Sequence, residues 1–291
     1  MRLVLNAYAK INLYLEVVGK RPDGYHDLVT VMQSISLADE LTLERQQAEG
    51  ISLTIDGDFP TNENNLVVRA ANAYFAASGT PFGVNIHLKK QIPVSAGLGG
   101  GSADAAATLQ GLNTLNGGYF DQQALLRIAA GIGADVPFCL VGGTKLCRGI
   151  GEQMTPAPST LSLTLVVAKS GEGVSTPAAF AALDRAFDDF RNFDRDTVPE
   201  ALLAGLANGD ISRTVSGLFN RFESVIEPAR PSVTALKREL LARGALAAQM
   251  SGSGPAVFGI FADAAAAKAA AEALRKMGNP AFACQTVQEI S

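Results

Sequence analysis

The sequence predicts an α+β protein of two domains, and three observations carry that prediction. Strand-like segments dominate Leu3–Lys89, a Pro-rich connector TPAPST interrupts the texture at Thr155–Thr160, and strands return near the C-terminus around an alanine-rich helix. A chain of 291 residues exceeds one ordinary domain of roughly 100–200 residues and suits two. The expected units are 1–155 and 156–291.

The first element runs from Leu3 to Val17, where every odd position is apolar: Leu3, Leu5, Ala7, Ala9, Ile11, Leu13, Leu15 and Val17. This period of two predicts a strand, with Asn6, Tyr8, Lys10, Asn12, Tyr14 and Glu16 on its polar face. Further strands are expected at Leu28–Leu37, Leu41–Glu44, Ile51–Ile55 and Val84–Lys89, with a helix at Asn65–Ala77. Past the connector, Leu161–Ala168, Ala256–Phe261 and Ala281–Val287 read as strands. Ala264–Met277, with charges at helical spacing, reads as a helix.

Composition narrows the function classes. The formal charge is −4, from 24 Lys and Arg against 28 Asp and Glu, whereas a protein living on nucleic-acid phosphate is normally basic. Three cysteines, Cys139, Cys147 and Cys284, form no C-x-x-C pair, and two histidines cannot build a polyhistidine metal centre. A reducing cytoplasm is expected. The N-terminus lacks a secretory apolar region, and no stretch approaches the roughly 18 apolar residues of a membrane helix.

The densest glycine cluster is PVSAGLGGGSADAAATLQGL. Pro93-Val94-Ser95-Ala96 leads into Gly97-Leu98-Gly99-Gly100-Gly101, and Ser102 then reads as an N-cap, followed by Ala103, with Asp104 in the first turn of a helix. Glycine backbone N–H groups at the positive end of a helix dipole make a phosphate cradle. The spacing is neither that of a Walker A loop nor that of a dinucleotide fingerprint, and a hydrolase nucleophile elbow fails because Asp104 stands where glycine is required. The plain alternative is a flexible turn before a helix.

Pro93–Ala107 resembles the central motif of the small-molecule kinases that include galactokinase, homoserine kinase and mevalonate kinase. AKINLYLEVVGKRPDGYHDL (Ala9–Leu28) and GADVPFCLVGGTKLCRGIGE (Gly133–Glu152) look like the 4-diphosphocytidyl-2-C-methyl-D-erythritol kinase family of bacteria and plastids, and SGSGPAVF (Ser251–Phe258) matches the superfamily's C-terminal glycine motif. The resemblance implies a ribosomal-protein-like N-terminal α+β domain and a ferredoxin-like C-terminal α+β domain. It implies transfer of the γ-phosphoryl of ATP, with Mg²⁺, to the carbon-2 hydroxyl of 4-diphosphocytidyl-2-C-methyl-D-erythritol, by a cytoplasmic monomer or homodimer that uses neither nucleic acid nor membrane. Ala103 stands where the family often has serine, which leaves Ser102 as the loop hydroxyl for phosphate or magnesium.

The resemblance also places a catalytic Lys at Lys10 and its partner Asp at Asp135. Taken alone, Lys10 reads as a solvated strand lysine and Asp135 as a turn residue. A lysine beside a carboxylate holds it ionised and brings positive charge near the reacting oxygen. Asn12 shares the strand face of Lys10 and is a candidate substrate contact. Tyr25 and His26, after a Pro-Asp-Gly turn, fall where the family contacts cytosine, and Phe180 where it closes the other side of the base; on its own Phe180 is equally a core residue. Gly252 and Gly254 are expected to bring backbone near phosphate or substrate. His87 reads as an exposed strand residue, and Lys89 and Lys90 as a solvated strand end. Two other readings stay open: a sister kinase for another alcohol, which would not need Tyr25 and His26, and a silent metabolite-binding regulator, which would not need Lys10 and Asp135.

Overall fold

The computed structural model describes residues 1–171, 173–187, 190 and 199–288. Of the segment FDDFRNFDRDTV, which the sequence leaves unassigned, only Phe187 and Phe190 fall among them.

The N-terminal half is built on two long strands, β1 (Arg2–Lys20) and β2 (His26–Gln46), paired antiparallel through the turn that holds Pro22-Asp23-Gly24. Three register shifts, between Tyr8 and Lys10, Asn12 and Tyr14, and Val17 and Gly19, bend β1. β3 (Ile51–Ile55), α1 (Leu66–Ser78) and β4 (Gly83–Lys89) follow, with β4 on the far edge of β2 and β3 parallel to β4. Asn65 caps α1 by accepting the Val67 N–H.

Next come α2 (Gly100–Leu115), α3 (Gln122–Ala130), α4 (Val136–Val141), β5 (Thr144–Gly149) and β6 (Gln153–Pro156). β5 pairs with the Leu28–Gln33 stretch of β2. The connector expected at Thr155–Thr160 begins inside β6. Helices α1 to α4 lie against this sheet around a core that includes Leu41, Leu43, Tyr74, Leu109 and Phe138.

The C-terminal half contains β7 (Thr164–Ala168), α5 (Thr176–Ala186), α6 (Glu200–Asn208), α7 (Ile211–Ser216), β8 (Phe219–Asn220), α8 (Glu223–Ala229), α9 (Pro231–Ala242), β9 (Ala247–Met250), β10 (Val257–Phe261), α10 (Ala264–Lys276) and β11 (Ala281–Gln285). Four of its strands form an antiparallel sheet in the order β11-β7-β10-β9, and β8 instead adds in parallel to β1. A core shared by both halves gathers Ile11 and Leu13 of β1 with Leu165, Val167, Phe258 and Ile260 of the second sheet. The polar side chains of Lys10 and Asn12 on β1 are buried where the two sheets meet.

Two expectations are corrected. The sequence reads β2 as two strands, but it is continuous. The apparent break is Asp39, fully buried in the strand, whose carboxylate accepts the Gln91 and Ile92 N–H groups and the Lys90 ammonium. Lys90 is accordingly not a solvated strand end. No helix of the described residues is long and apolar enough to cross a membrane.

Candidate active site

The glycine loop and Lys10 are in direct contact. The Lys10 N–H donates to the Leu98 carbonyl at 2.9 Å. Gly99 has φ 69°, and a Cβ there would stand 2.9 Å from Lys10 Cγ, so its position requires glycine for both conformation and space. Gly97 has φ 77°, and a Cβ there would fall 2.1 Å from the Ser251 carbonyl oxygen. Gly97 and Gly252, both on the cavity wall, also approach each other: a Cβ on Gly252 would meet Gly97 O at 3.0 Å. Ser251 Oγ fastens this seam by donating to Gly97 O and accepting the Asn12 N–H. Asn220 holds the second glycine loop from behind, donating to the Met250 and Gly252 carbonyls.

Helix α2 starts one turn earlier than the sequence suggests. Its N-cap is Gly99, in the left-handed conformation, with no side-chain cap. Ser102 is therefore the third helical residue, not the cap, and Asp104 lies beyond the first turn. The Gly100, Gly101 and Ser102 N–H groups are those an α-helix leaves without intrahelical partners, and all three residues line a cavity of about 1020 Å³. Pro93 through Leu98 line it too. Ala103 does not. Its N–H is spent on Gly99 O, and its methyl is buried in the core behind the loop.

Lys10 is 5% exposed, so the solvated-lysine reading fails. Its ammonium donates to Asn12 Oδ1 at 2.8 Å and lies 3.5 Å from Asp135 Oδ2. Asp135 is at the N-cap position of α4, yet its side chain makes no capping bond there, which leaves the carboxylate to Lys10 and to the cavity. Asn12 donates to Thr30 Oγ1, and Thr30 in turn to the Tyr14 carbonyl. Asn12 lines the cavity, and its carbonyl oxygen accepts from the Lys10 ammonium.

At another part of the wall, His26 is 5% exposed and stacks on Phe180 with centroids 4.6 Å apart. Its Nε2 lies 2.7 Å from Asp184 Oδ1, and the other Asp184 oxygen accepts from Lys20 at 2.7 Å. Burial pushes the Asp184 carboxyl up, but the hydrogen bonds from Lys20 and His26 outweigh it and hold its pKa below the usual carboxylate range. Tyr25 is 60% exposed at the rim, its N–H held by Asp23. The sequence reading missed Asp184, although its spacing of four from Phe180 puts both on one helix face.

Beneath the glycine loop lies a buried triad. Lys90 donates to Asp39 and, at 2.8 Å, to Asp104 Oδ2. Burial works against the Lys90 charge, but the two carboxylates outweigh it and raise its pKa. Asp104 is pushed up to about 7, by burial first and by the neighbouring Asp39 charge, against the pull of Lys90. Its Oδ1 is buried without a hydrogen-bond partner. His87 is exposed on β4, between Thr54 and Asp56. The three cysteines are free.

The chain is similar along nearly its whole length to known proteins. Residues 65–143 match the GHMP kinases N terminal domain and residues 200–280 the GHMP kinases C terminal domain. The chain is 46% identical to a 4-diphosphocytidyl-2-C-methyl-D-erythritol kinase of Moorella thermoacetica, covering 94% of this chain and 95% of that one. It is 43% identical to the protein of the same description from Synechococcus elongatus, with 99% and 96% covered. A crystal structure of 4-(cytidine 5'-diphospho)-2C-methyl-D-erythritol kinase superposes with a TM-score of 0.83 at 37% identity, covering 98% of this chain and 99% of that one.

Proposed function

Because this chain belongs to the 4-diphosphocytidyl-2-C-methyl-D-erythritol kinases, within the GHMP kinases, we propose that Lys10, Asp135 and the glycine loop form its phosphoryl-transfer site. The chain has the GHMP kinase fold. It is an ATP-dependent phosphotransferase acting on the carbon-2 hydroxyl of 4-diphosphocytidyl-2-C-methyl-D-erythritol, in non-mevalonate isoprenoid precursor synthesis. Two domains, divided near residue 155, belong to the same proposal, as does a reducing cytoplasmic setting.

The observation that carries the site assignment is the Lys10–Asp135 pair, 3.5 Å apart on the wall of the cavity that the glycine loop lines. Phosphoryl transfer calls for positioning and for stabilised charge more than for covalent chemistry. The Gly100, Gly101 and Ser102 N–H groups would bind phosphate oxygens at the positive end of α2. Asp135, paired with Lys10 at 3.5 Å, would accept the proton of the substrate hydroxyl. Lys10, aimed by Asn12, would balance the charge that develops on the transferred group.

Tyr25, His26 and Phe180 would form the base site, with an aromatic face for stacking and an imidazole at the base edge. Phe180 lies on the His26 ring itself, and Tyr25 lines the same cavity, so a base would stack on the outside of this pair or part it.

Magnesium is the finer part of the reading. Among the described residues no cluster of three or more His, Cys, Asp or Glu side chains is gathered. A hard cation bridging phosphates, however, needs only one or two protein oxygens. Ser102, on the cavity wall in the first turn of α2, fits that need and would hold the ion, which leaves Asp135 to the substrate hydroxyl. When bound, the ion neutralises phosphate charge.

An ADP-release assay with a panel of alcohols tests the reading. Turnover should be stimulated by the diphosphocytidyl substrate and not by homoserine or mevalonate. Stimulation by one of those alcohols alone would replace the substrate assignment.

A further inference from the structure

Four side chains converge beside the base site that sequence motifs alone do not connect: His26 at the start of β2, Asp184 and Phe180 one turn apart on α5, and Lys20 at the end of β1. The His26 ring is held at three places. Phe180 covers one face, Phe190 meets it edge-on with centroids 5.4 Å apart, and Nε2 is tied to Asp184. Asp184 is fixed in turn, with one oxygen on Lys20 and the other on the imidazole.

A carboxylate so placed only accepts hydrogen bonds. The His26 proton must then sit on Nε2, and in the neutral ring Nδ1 is left as an acceptor. Among the described residues no hydrogen bond to the second ring nitrogen competes for it, and His26 lines the cavity.

We propose that Asp184 sets the base specificity of the kinase: by fixing the His26 tautomer it presents an acceptor to the cavity, which selects a pyrimidine bearing an edge amino group over one bearing a carbonyl. Cytosine offers the amino hydrogen that Nδ1 accepts. Uracil turns a carbonyl oxygen to the same nitrogen, and two acceptors face each other. Asp184 touches neither the base nor the phosphates in this scheme. It is a positioning residue, and Lys20 keeps it ionised and aimed.

The inference rests on the reading of His26 as a base contact, and the experiment separates the two. The kcat/KM ratio of the diphosphocytidyl substrate to its uridine analogue would be measured for the parent, Asp184→Ala, Asp184→Glu and His26→Ala. Asp184→Ala should lower that preference by about tenfold or more, the scale on which losing an orienting partner falls. The change should come through KM of the cytidyl substrate, with kcat and KM for ATP within about twofold of the parent. Asp184→Glu, which restores the acceptor, should recover part of the preference. His26→Ala should abolish it.

If His26→Ala loses the preference while Asp184→Ala keeps the parental ratio, the inference fails and the base contact stands. If His26→Ala keeps it, the base-contact reading fails. A second measurement needs no variant: with two histidines in the chain, ¹⁵N shifts of the imidazoles resolve the tautomer directly. A bare Nδ1 on His26 at assay pH supports the proposal; a proton on Nδ1 overturns it.

Discussion

At the scale of single residues, the site shows how burial changes the meaning of a side chain. Lys10 occupies a polar position on an alternating strand and reads as solvated, yet it is buried because a second sheet closes over β1. Nothing in the local pattern announces that closure; only resemblance picked out Lys10 and Asp135. Asn12 could be placed beside Lys10 by the period of two, but its engagement with Thr30, eighteen residues away, could not. Replacing Asn12 by Ala removes the acceptor that aims the ammonium and leaves Thr30 without its donor. Steady-state kinetics should show kcat reduced roughly 10-fold or more, the cost of one lost charge-assisted hydrogen bond being about 1.5–3 kcal/mol. KM for ATP should change little. A variant with parental kcat would remove Asn12 from the mechanism.

At the scale of elements, a glycine loop leading into a helix is legible in the sequence, while its supports are not. Sequence spacing gave four glycines before a helix but could not show that Gly97 packs on Ser251 or that the Asp39–Lys90–Asp104 triad lies beneath. These partners are 154 residues apart in the first case and 51 and 14 in the second. Gly97→Ala combines an unfavourable φ with a clash against Ser251 O. It should raise KM for ATP severalfold while circular dichroism shows the fold retained; an unchanged KM would mean the seam does not set the loop.

The triad predicts a pH effect. The Asp104 pKa is raised in the folded state to about 7, so between its unfolded value and that pH the folded chain binds the extra proton. Stability contributed by this group therefore falls as pH rises from about 4 to about 7, by at most about 1.4 kcal/mol per pH unit. Asp104→Asn should flatten the dependence of Tm on pH across that interval, measured by thermal melts at several pH values. Parallel curves for parent and variant would contradict the coupling.

At the scale of the molecule, the α+β class, the strand-rich start and the late strand–helix–strand unit were all legible from periodicity. The relation between the halves was not, because it lies in side chains that meet across the two sheets: Ile11 and Leu13 against Leu165 and Phe258. The strand β8, two residues long, also crosses over to extend the first sheet, and no pattern of that length is readable. Phe258 is fully buried in this shared core, and Phe258→Ala should cost about 3–5 kcal/mol. Hydrogen exchange should show the loss in strands of both sheets. Loss confined to β7, β9, β10 and β11 would mean the halves are stabilised independently.

The account turns on Asp135 acting with Lys10 on a substrate hydroxyl beside the glycine loop. The direct measurement is single-turnover phosphoryl transfer by Asp135→Ala on 4-diphosphocytidyl-2-C-methyl-D-erythritol, paired with calorimetric ATP binding on the same preparation. Transfer should fall on the order of 10²–10⁴-fold, the range of general acid–base catalysis, with ATP affinity close to that of the parent. Transfer at the parental rate, with ATP bound normally, would contradict it.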